Sequence, residues 1–280
     1  MTTLVTGHRG FLGRYLVSHL EAAGQPVVGA GRPEVELPSQ AFDRLLEVAR
    51  PELIVHCAGP ASVPGSIVDP EADRNGAVEL LRQLLPRVSS AKLLLVSSAA
   101  VYGEPEGLPV AEDAPLAPMS PYGRHRAEAE RLALESGGRL AIARVFSAYG
   151  EGLRRQVLWD VAQRALAGGQ VELSGTRSES RDFVHARDVA AAICAIGERA
   201  AFEGEIVNVG TGVETSIARL AELITTELGG GDVCFTGAVR PGDPARWRAD
   251  ISRLRSLGFE PTVSVEDGAR AYARWVREVT

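Results

Sequence analysis

The sequence predicts a doubly wound α/β fold, a parallel sheet with helices on both faces, on three observations. Apolar runs of strand length recur: "TLVTG", "PVVGAG", "LIVHCAG", "KLLLVSSAAVYG" and "RLAIARVFSAYG". Each is followed by a longer segment of helical period, beginning with Phe11 to Ala23. Spaced glycines stand between the first run and the first helical segment. Near-continuous Val, Ile and Leu suit strands buried on both faces, which requires helices above and below the sheet. Strand and helix in alternation then imply parallel strands joined by crossovers.

The first element and its loop carry the most chemistry. "VTGHRGFLGRYLVSHL" places Gly7, Gly10 and Gly13 in the spacing G-x-x-G-x-x-G, directly after the strand and opening the helix. A tight turn, close approach of backbone to a pyrophosphate, and close packing of helix on strand each need the absence of a side chain. The helix N-terminus offers unpaired N–H groups and partial positive charge to phosphates. Three spaced glycines alone would also suit a plain turn; their place between strand and helix points to a dinucleotide. Arg9 and Phe11 in this loop, and Ala58 and Gly59 at the end of the third run, join the expected cofactor-binding set, to which Arg32, Tyr122 and Arg126 also belong.

The second strand ends near residue 30, where an acidic side chain would hold a ribose 2′-hydroxyl. The chain has "GAGRPE" there. Arg32 suits a 2′-phosphate and tilts the expectation from NAD toward NADP. A solvated Arg32, or one stacked on adenine, is the alternative, and Glu34 remains available to a ribose.

Beyond about Gly150 the rhythm loosens, although "EIVNVG" reads as a strand and "SIARLAELITTEL" as an amphipathic helix. Residues 1–150 are therefore expected to form the NAD(P)-binding domain. Residues 151–280 are expected to form mainly a smaller α/β substrate lobe, interleaved with the end of the sheet.

Composition narrows the function classes. The chain of 280 residues is 45% hydrophobic and 24% charged, an ordinary globular balance, with net charge −6. No global positive field exists to hold nucleic acid or an anionic membrane. Cys57, Cys194 and Cys234 stand far apart without a C-x-x-C or a histidine pair, so neither a metal site nor a disulfide framework is indicated. The opening "MTTLVTGHRG" lacks signal-peptide character, and no apolar run is long enough to span a bilayer. A cytoplasmic protein is expected.

"SPYGRHRAEAE" then raises the question of catalysis, since Tyr122 precedes Arg126 by four residues. Such a pair arises readily by chance on one helix face and decides nothing alone. In order and spacing, however, the glycine loop, "VSSAAVYGE", "SPYG", "ARVFSAYGEG", "RDFVHARDVAAAI", "NVGTG" and "RPGDPARWRADISRLRSLGFEPTVSVEDG" make the chain resemble the extended short-chain dehydrogenase/reductase family. The likeness is to its nucleotide-sugar epimerases, dehydratases and 4-keto reductases, and it covers nearly the whole length.

The resemblance implies a Rossmann sheet, a bound nicotinamide dinucleotide, and a Ser or Thr, Tyr and Lys acting at a sugar carbon. The hydroxyl position falls on Ser98, with Ser97 as runner-up, and the tyrosine on Tyr122. The lysine position falls on Arg126. A tyrosine base at neutral pH needs a close positive charge, because phenol otherwise ionises near pH 10. Arginine keeps the charge permanently, yet its planar fork is larger and its donors point differently. His125 is expected on the helix surface. Relatives also carry an Asn where this chain has Asp73.

The 4,6-dehydratases of the family follow the hydroxyl with Asp and Glu, where this chain has Ala99 and Ala100. Methyl groups move no protons, so dehydration is disfavoured. For the substrate, the resemblance implies that Arg240 meets a diphosphate and that Ser147 replaces an Asn beside it. Ser62 and Ser98 are the candidates for the hexose, Ser62 being equally suited to a plain turn. Arg154, Arg155, Arg177 and Arg181 fall in the same lobe and are expected to be solvated or structural. "RDFVHARDV" reads as a junction into a helix rather than a triad or metal site, with Asp188 near the helix start.

The expected activity is nucleoside-diphosphate-sugar epimerisation by hydride transfer at C4. Alternatives are an NADPH-dependent 4-keto reductase and, from another class, a cofactor-binding protein without turnover. Relatives pair through two helices per subunit, one beginning near Tyr122, so a homodimer is expected.

Overall fold

In the computed structural model, which describes residues 1–238 and 242–280, six parallel strands form the main sheet. Five of them are β1 (Thr3–Thr6), β2 (Val27–Ala30), β3 (Leu53–His56), β4 (Lys92–Ser98) and β5 (Leu140–Val145); the sixth is Glu203–Val209. The order across the sheet is β2-β1-β3-β4-β5 and then Glu203–Val209. The chain leaves β1 toward β2 and returns to the other side of β1 for β3. That reversal opens a crevice at the carboxyl ends of β1 and β3, where ligands of open α/β sheets bind.

Successive β1 residues show why the strands read as continuous apolar runs. Leu4 belongs to the core on one face with Phe42, Ile54, Leu81 and Ala133, whereas Val5 belongs to the opposite core with Leu16, Val55 and Ile193. Both are fully buried, because side chains alternate between two covered faces. Burying each such side chain contributes about 1.5–3 kcal/mol.

On one face lie α1 (Phe11–Ala22) and the helix Ala186–Arg199, which pack together. On the other lie α2 (Gln40–Ala49), a broken helical stretch and α6 (Pro121–Glu135). The broken stretch consists of α3 (Val63–Val68), α4 (Pro70–Arg74), a π-helical turn at Asn75–Glu79 and α5 (Leu80–Val88).

A separate core gathers Tyr149, Leu158, Val161, Leu220, Ile224, Tyr272 and Val276 under the helices Gln156–Ala167, Ile217–Glu227 and Val265–Val279. Ala186–Arg199 and Glu203–Val209 nevertheless rejoin the main sheet, so the C-terminal half threads back into the first layer. Among the described residues, no helix is long and apolar enough to cross a membrane.

Helix α6 carries Tyr122 and Arg126, and its placement is over-determined. Ser120 caps it by accepting from the Gly123 N–H at 3.1 Å, and Pro121 pre-sets its first turn. A Cβ on Gly123 would lie 2.4 Å from the Ala100 carbonyl, so only glycine lets the helix start so close to the turn after β4. Further along, Glu130 is paired with Arg144 of β5 at 2.8 Å, both essentially buried. Arg144 also donates to the Tyr102 hydroxyl and the Glu112 carbonyl, each at 2.9 Å, so the buried charge is fully met.

Candidate active site

The glycine loop closes on itself at the crevice. Gly7 has φ +69° and a Cβ there would stand 2.8 Å from the Ala58 backbone. Gly10 N–H donates to the Gly7 carbonyl at 2.8 Å, and a Cβ on Gly13 would lie 2.2 Å from that same oxygen. Gly7 and Gly13 are thus required by contact, and the loop is packed against the start of α1 and the end of β3. Phe11 opens α1 and meets Tyr15 edge-on at 5.6 Å.

Past β2, the charges are paired differently from the simplest expectation. Arg9 bonds to Glu34, and His8 lies 4.0 Å from the same carboxylate. Arg32 is 82% exposed and sits 3.2 Å from Glu36. Glu34 therefore lies nearer the glycine loop, while Arg32 points into solvent with a carboxylate of its own.

Tyr122 and Arg126 come together at the crevice's other wall. The Arg126 guanidinium carbon is 5.2 Å from the centre of the Tyr122 ring, a cation over an aromatic face. The Tyr122 N–H donates to Ser66 Oγ at 3.0 Å, and Ser66 in turn donates to the Val63 carbonyl at 2.8 Å. Arg126 is 7% exposed; one Nη donates to the Pro60 carbonyl, and its Nε has no partner among the described residues. Gly59, with φ +127°, lies against this side chain, since a Cβ there would meet Arg126 Nη2 at 3.4 Å.

The charge of Arg126 reaches the end of β3. His56 is pushed down to about 4 by burial, with the Arg126 charge adding to the shift. Burial pushes the Cys57 thiol up to about 12 against the pull of Arg126.

The two serines of β4 separate cleanly. Ser97 is buried and donates to Glu130 Oε1 at 2.5 Å, so its hydroxyl belongs to the Arg144 network. Ser98 is the more open, and its Oγ accepts from the Ala100 N–H at 3.2 Å where the chain leaves the sheet.

His125 is not the surface residue that its place in a charged helix suggests. Its side chain is 13% exposed and Nδ1 lies 2.7 Å from Asp73 Oδ2; Asp73 itself is 3% exposed. The helical pattern of "SPYGRHRAEAE" could not reveal the partner, because α4 crosses α6 only in the folded chain. Ser66 and Pro60, which hold Tyr122 and Arg126, were equally invisible in the sequence.

The candidate substrate residues divide. Ser62 caps α3, accepting from the Gly65 N–H at 3.0 Å, so its hydroxyl has the turn role. Ser147 lies on the strand Ser147–Tyr149, which pairs with Phe183–His185. Arg240 lies outside the described residues. Arg177 pairs with Glu222 at 3.1 Å, and Arg181 lies over Trp247 at 5.6 Å. Arg154 faces Trp159 and Trp275, each at 5.9 Å.

In "RDFVHARDV", the Asp182 carboxylate accepts from the N–H groups of Thr211 (2.7 Å) and Gly212 (2.8 Å). Asp188 accepts from those of Thr262 (3.0 Å) and Val263 (2.9 Å). His185 caps the helix Ala186–Arg199. These are structural clasps.

The cradle fits a dinucleotide: the backbone surfaces at Gly7, Gly13 and Gly59 leave no room for side chains, and Arg126 keeps an unused buried donor facing the same end of the sheet. A nucleotide-binding parallel sheet with a tyrosine and a cation beside the crevice defines the class.

Comparison with known proteins agrees. Residues 3–210 match the model of the NAD dependent epimerase/dehydratase family, and the chain belongs to that family. It is 32% identical to the UDP-glucose 4-epimerase of Mycolicibacterium smegmatis, over 96% of each chain. It is 30% identical to the GDP-6-deoxy-D-mannose reductase of Pseudomonas aeruginosa, over 95% of this chain and 94% of that one. Among solved structures, MoeE5 in complex with UDP-glucose and NAD superposes with a TM-score of 0.88 at 28% identity, covering 100% of this chain and 99% of the other.

Proposed function

We propose that the protein is an NAD(P)-dependent nucleoside-diphosphate-sugar epimerase that acts at C4 of the sugar, with Tyr122 as acid and base, Arg126 as its permanent cation and Ser98 as the hydroxyl beside it. The observation that carries the reading is the buried guanidinium of Arg126 over the Tyr122 ring. The guanidinium stands within reach of the phenol ring, where a permanent cation can accompany a residue that trades a proton.

The bound nicotinamide would supply the two-electron oxidation and re-reduction of the sugar carbon. Tyr122 Oη takes the proton of the C4 hydroxyl during oxidation and returns it to the C4 oxygen when the opposite face is reduced. Ser98 Oγ donates to that oxygen. Gly7, Arg9, Gly10, Phe11, Gly13, Ala58 and Gly59 hold the dinucleotide, Ser147 lines the sugar-nucleotide site, and Arg240 is assigned to the diphosphate from the sequence alone. Full-length similarity to a UDP-glucose 4-epimerase supports this activity.

A second reading, an NADPH-dependent 4-keto reductase, is favoured by the similarity to a GDP-sugar reductase. A homodimer accords with the exposed Ile67, Val68 and Leu134 on α3 and α6.

The test is turnover of UDP-, GDP- and dTDP-hexoses with NAD and with NADPH. Formation of a 4-epimer without net consumption of cofactor supports the epimerase; oxidation of NADPH by a 4-keto sugar supports the reductase. Cofactor binding without conversion of any of them would leave a binding protein.

A further inference from the structure

We propose that Glu151 couples the cofactor crevice to the core of the C-terminal half: a dinucleotide seated at the glycine loop fixes the loop 150–153, and with it the strand Ser147–Tyr149, for the sugar nucleotide. This coupling rests on the proposed reading of the crevice as a dinucleotide site and of Ser147 as lining the sugar-nucleotide site.

Contacts from two directions converge on Glu151. Tyr15 Oη of α1 donates to its Oε2 at 2.8 Å, and Arg14 Nη2 donates to its carbonyl at 3.2 Å. From the other side, His185 Nε2 stands 3.2 Å from Oε2, and Arg187 Nη2 stands 3.6 Å from Oε1. His185 Nδ1 accepts from the Arg187 N–H at 3.2 Å, which leaves Nε2 to carry the proton donated to the carboxylate. The His185 hydrogen bond, aided by that of Tyr15, holds the Glu151 carboxyl well below the usual range, at about 2. Its bonds are therefore those of an anion, shorter and stronger than neutral ones.

The two sides of this clasp serve different walls. Arg14 and Tyr15 lie in the first two turns of α1, the helix whose N-terminus faces the phosphates. The Tyr15 ring meets Phe11 edge-on at 5.6 Å, and the Arg14 guanidinium lies over both rings, at 5.8 and 6.0 Å. Phe11, next to Gly10, also packs on the core that contains Tyr149 and Leu153. The loop 150–153 is tied to that core at its far end, where the Leu153 carbonyl accepts from the Tyr272 hydroxyl at 2.5 Å. At its near end it continues the strand Ser147–Tyr149, so the position of Glu151 is felt at Ser147, four residues away.

Glu151 differs from the clasps at Asp182 and Asp188. Those carboxylates are buried and join segments within the C-terminal half. The Glu151 side chain is 23% exposed, and its partners on α1 lie 136 and 137 positions earlier in the chain. Groups close to water can part without unfolding the core, so this clasp can open and close while the sheet stays intact.

Phosphates at the N-terminus of α1 order its first turns; Arg14 and Tyr15, once ordered, hold Glu151, and the loop then fixes Ser147. By linkage, the sugar nucleotide tightens the hold on the cofactor by the same factor. Glu151, Arg14 and Tyr15 are positioning residues.

The experiment follows hydrogen exchange in wild type, Tyr15→Phe and Glu151→Gln, with and without saturating NAD or NADPH. In wild type, the cofactor should slow exchange at the glycine loop and also in the segment 147–155, there by about fivefold or more. In both variants, protection should persist at the glycine loop and vanish from the segment. With UDP as the probe, calorimetry should show cofactor tightening its binding by about fivefold or more in wild type and by less than about twofold in the variants.

Protection of the segment that survives in either variant would mean that the cofactor acts on it directly, and overturns the proposal. A wild-type segment indifferent to cofactor, or a tightening of UDP equal in all three proteins, overturns it too. If Glu151→Gln fails to fold, Tyr15→Phe, which keeps the ring against Phe11, decides alone. A wild type that binds neither NAD nor NADPH overturns the coupling together with the dinucleotide reading. A protein that binds cofactor yet neither binds UDP nor turns over a nucleotide sugar fails only the epimerase reading, and hydrogen exchange still decides the coupling.

Discussion

At the scale of single residues, the account turns on one exchange of cation. The Arg126 guanidinium lies over the Tyr122 ring and is anchored by the Pro60 carbonyl, so its charge is fixed where a lysine would have been mobile. Tyr122→Phe is expected to lower turnover by about 10²–10⁴-fold while cofactor affinity survives, as kinetics and cofactor titration would show. Arg126→Lys should keep measurable activity and Arg126→Ala should not; equal activity in both would remove the cation from the mechanism. Gly13→Ala tests the cradle, since its Cβ would stand 2.2 Å from the Gly7 carbonyl. Cofactor binding, measured by calorimetry, should be lost in that variant, and wild-type affinity would mean that the loop is not packed as described.

At the scale of elements, α6 and β3 hold the site. Removing one partner of a buried ion pair costs about 3–5 kcal/mol, so Glu130→Ala, which strands Arg144, should lower the free energy of unfolding by that order in denaturant titrations. A loss within the range of ordinary surface substitutions would show that the network does not clamp α6.

His56, on β3, gives the fold a pH dependence with a definite sign. Its imidazole ionises at about 4 in the folded chain, against about 6.5 when unfolded. The unfolded state therefore takes up the proton first as pH falls. The stabilisation from neutral His56 is complete above about pH 6.5 and declines toward pH 4, by roughly 3 kcal/mol in all. The difference in stability between wild type and His56→Gln should shrink over that window, and a constant difference would contradict the assignment.

At the scale of the whole molecule, the sheet and its glycine loop were legible because each is dictated locally. Leu4 and Val5 both had to be apolar to serve two covered faces, and the spacing of Gly7, Gly10 and Gly13 records contacts within one turn. Tyr122 and Arg126 were legible through a motif on one helix. The partners of that motif were not, because Asp73, Pro60 and Ser66 approach α6 from segments more than fifty residues earlier. Charge near β2 was misleading for a related reason: Arg32 stood out in the sequence, but the fold gives Glu34 to Arg9 and turns Arg32 toward Glu36.

A crevice shaped for a dinucleotide also makes stability depend on its ligand. At a cofactor concentration of a hundred times Kd the folded state gains about 2.7 kcal/mol, which thermal denaturation would register with the preferred cofactor and not with the other. The most direct test of the central claim is chromatographic analysis of UDP-hexoses after incubation with the purified protein and its cofactor. The account predicts a 4-epimer that appears with wild type and not with Tyr122→Phe. A cofactor-loaded protein that leaves every nucleotide sugar unchanged, or a Tyr122→Phe variant as active as wild type, would contradict it.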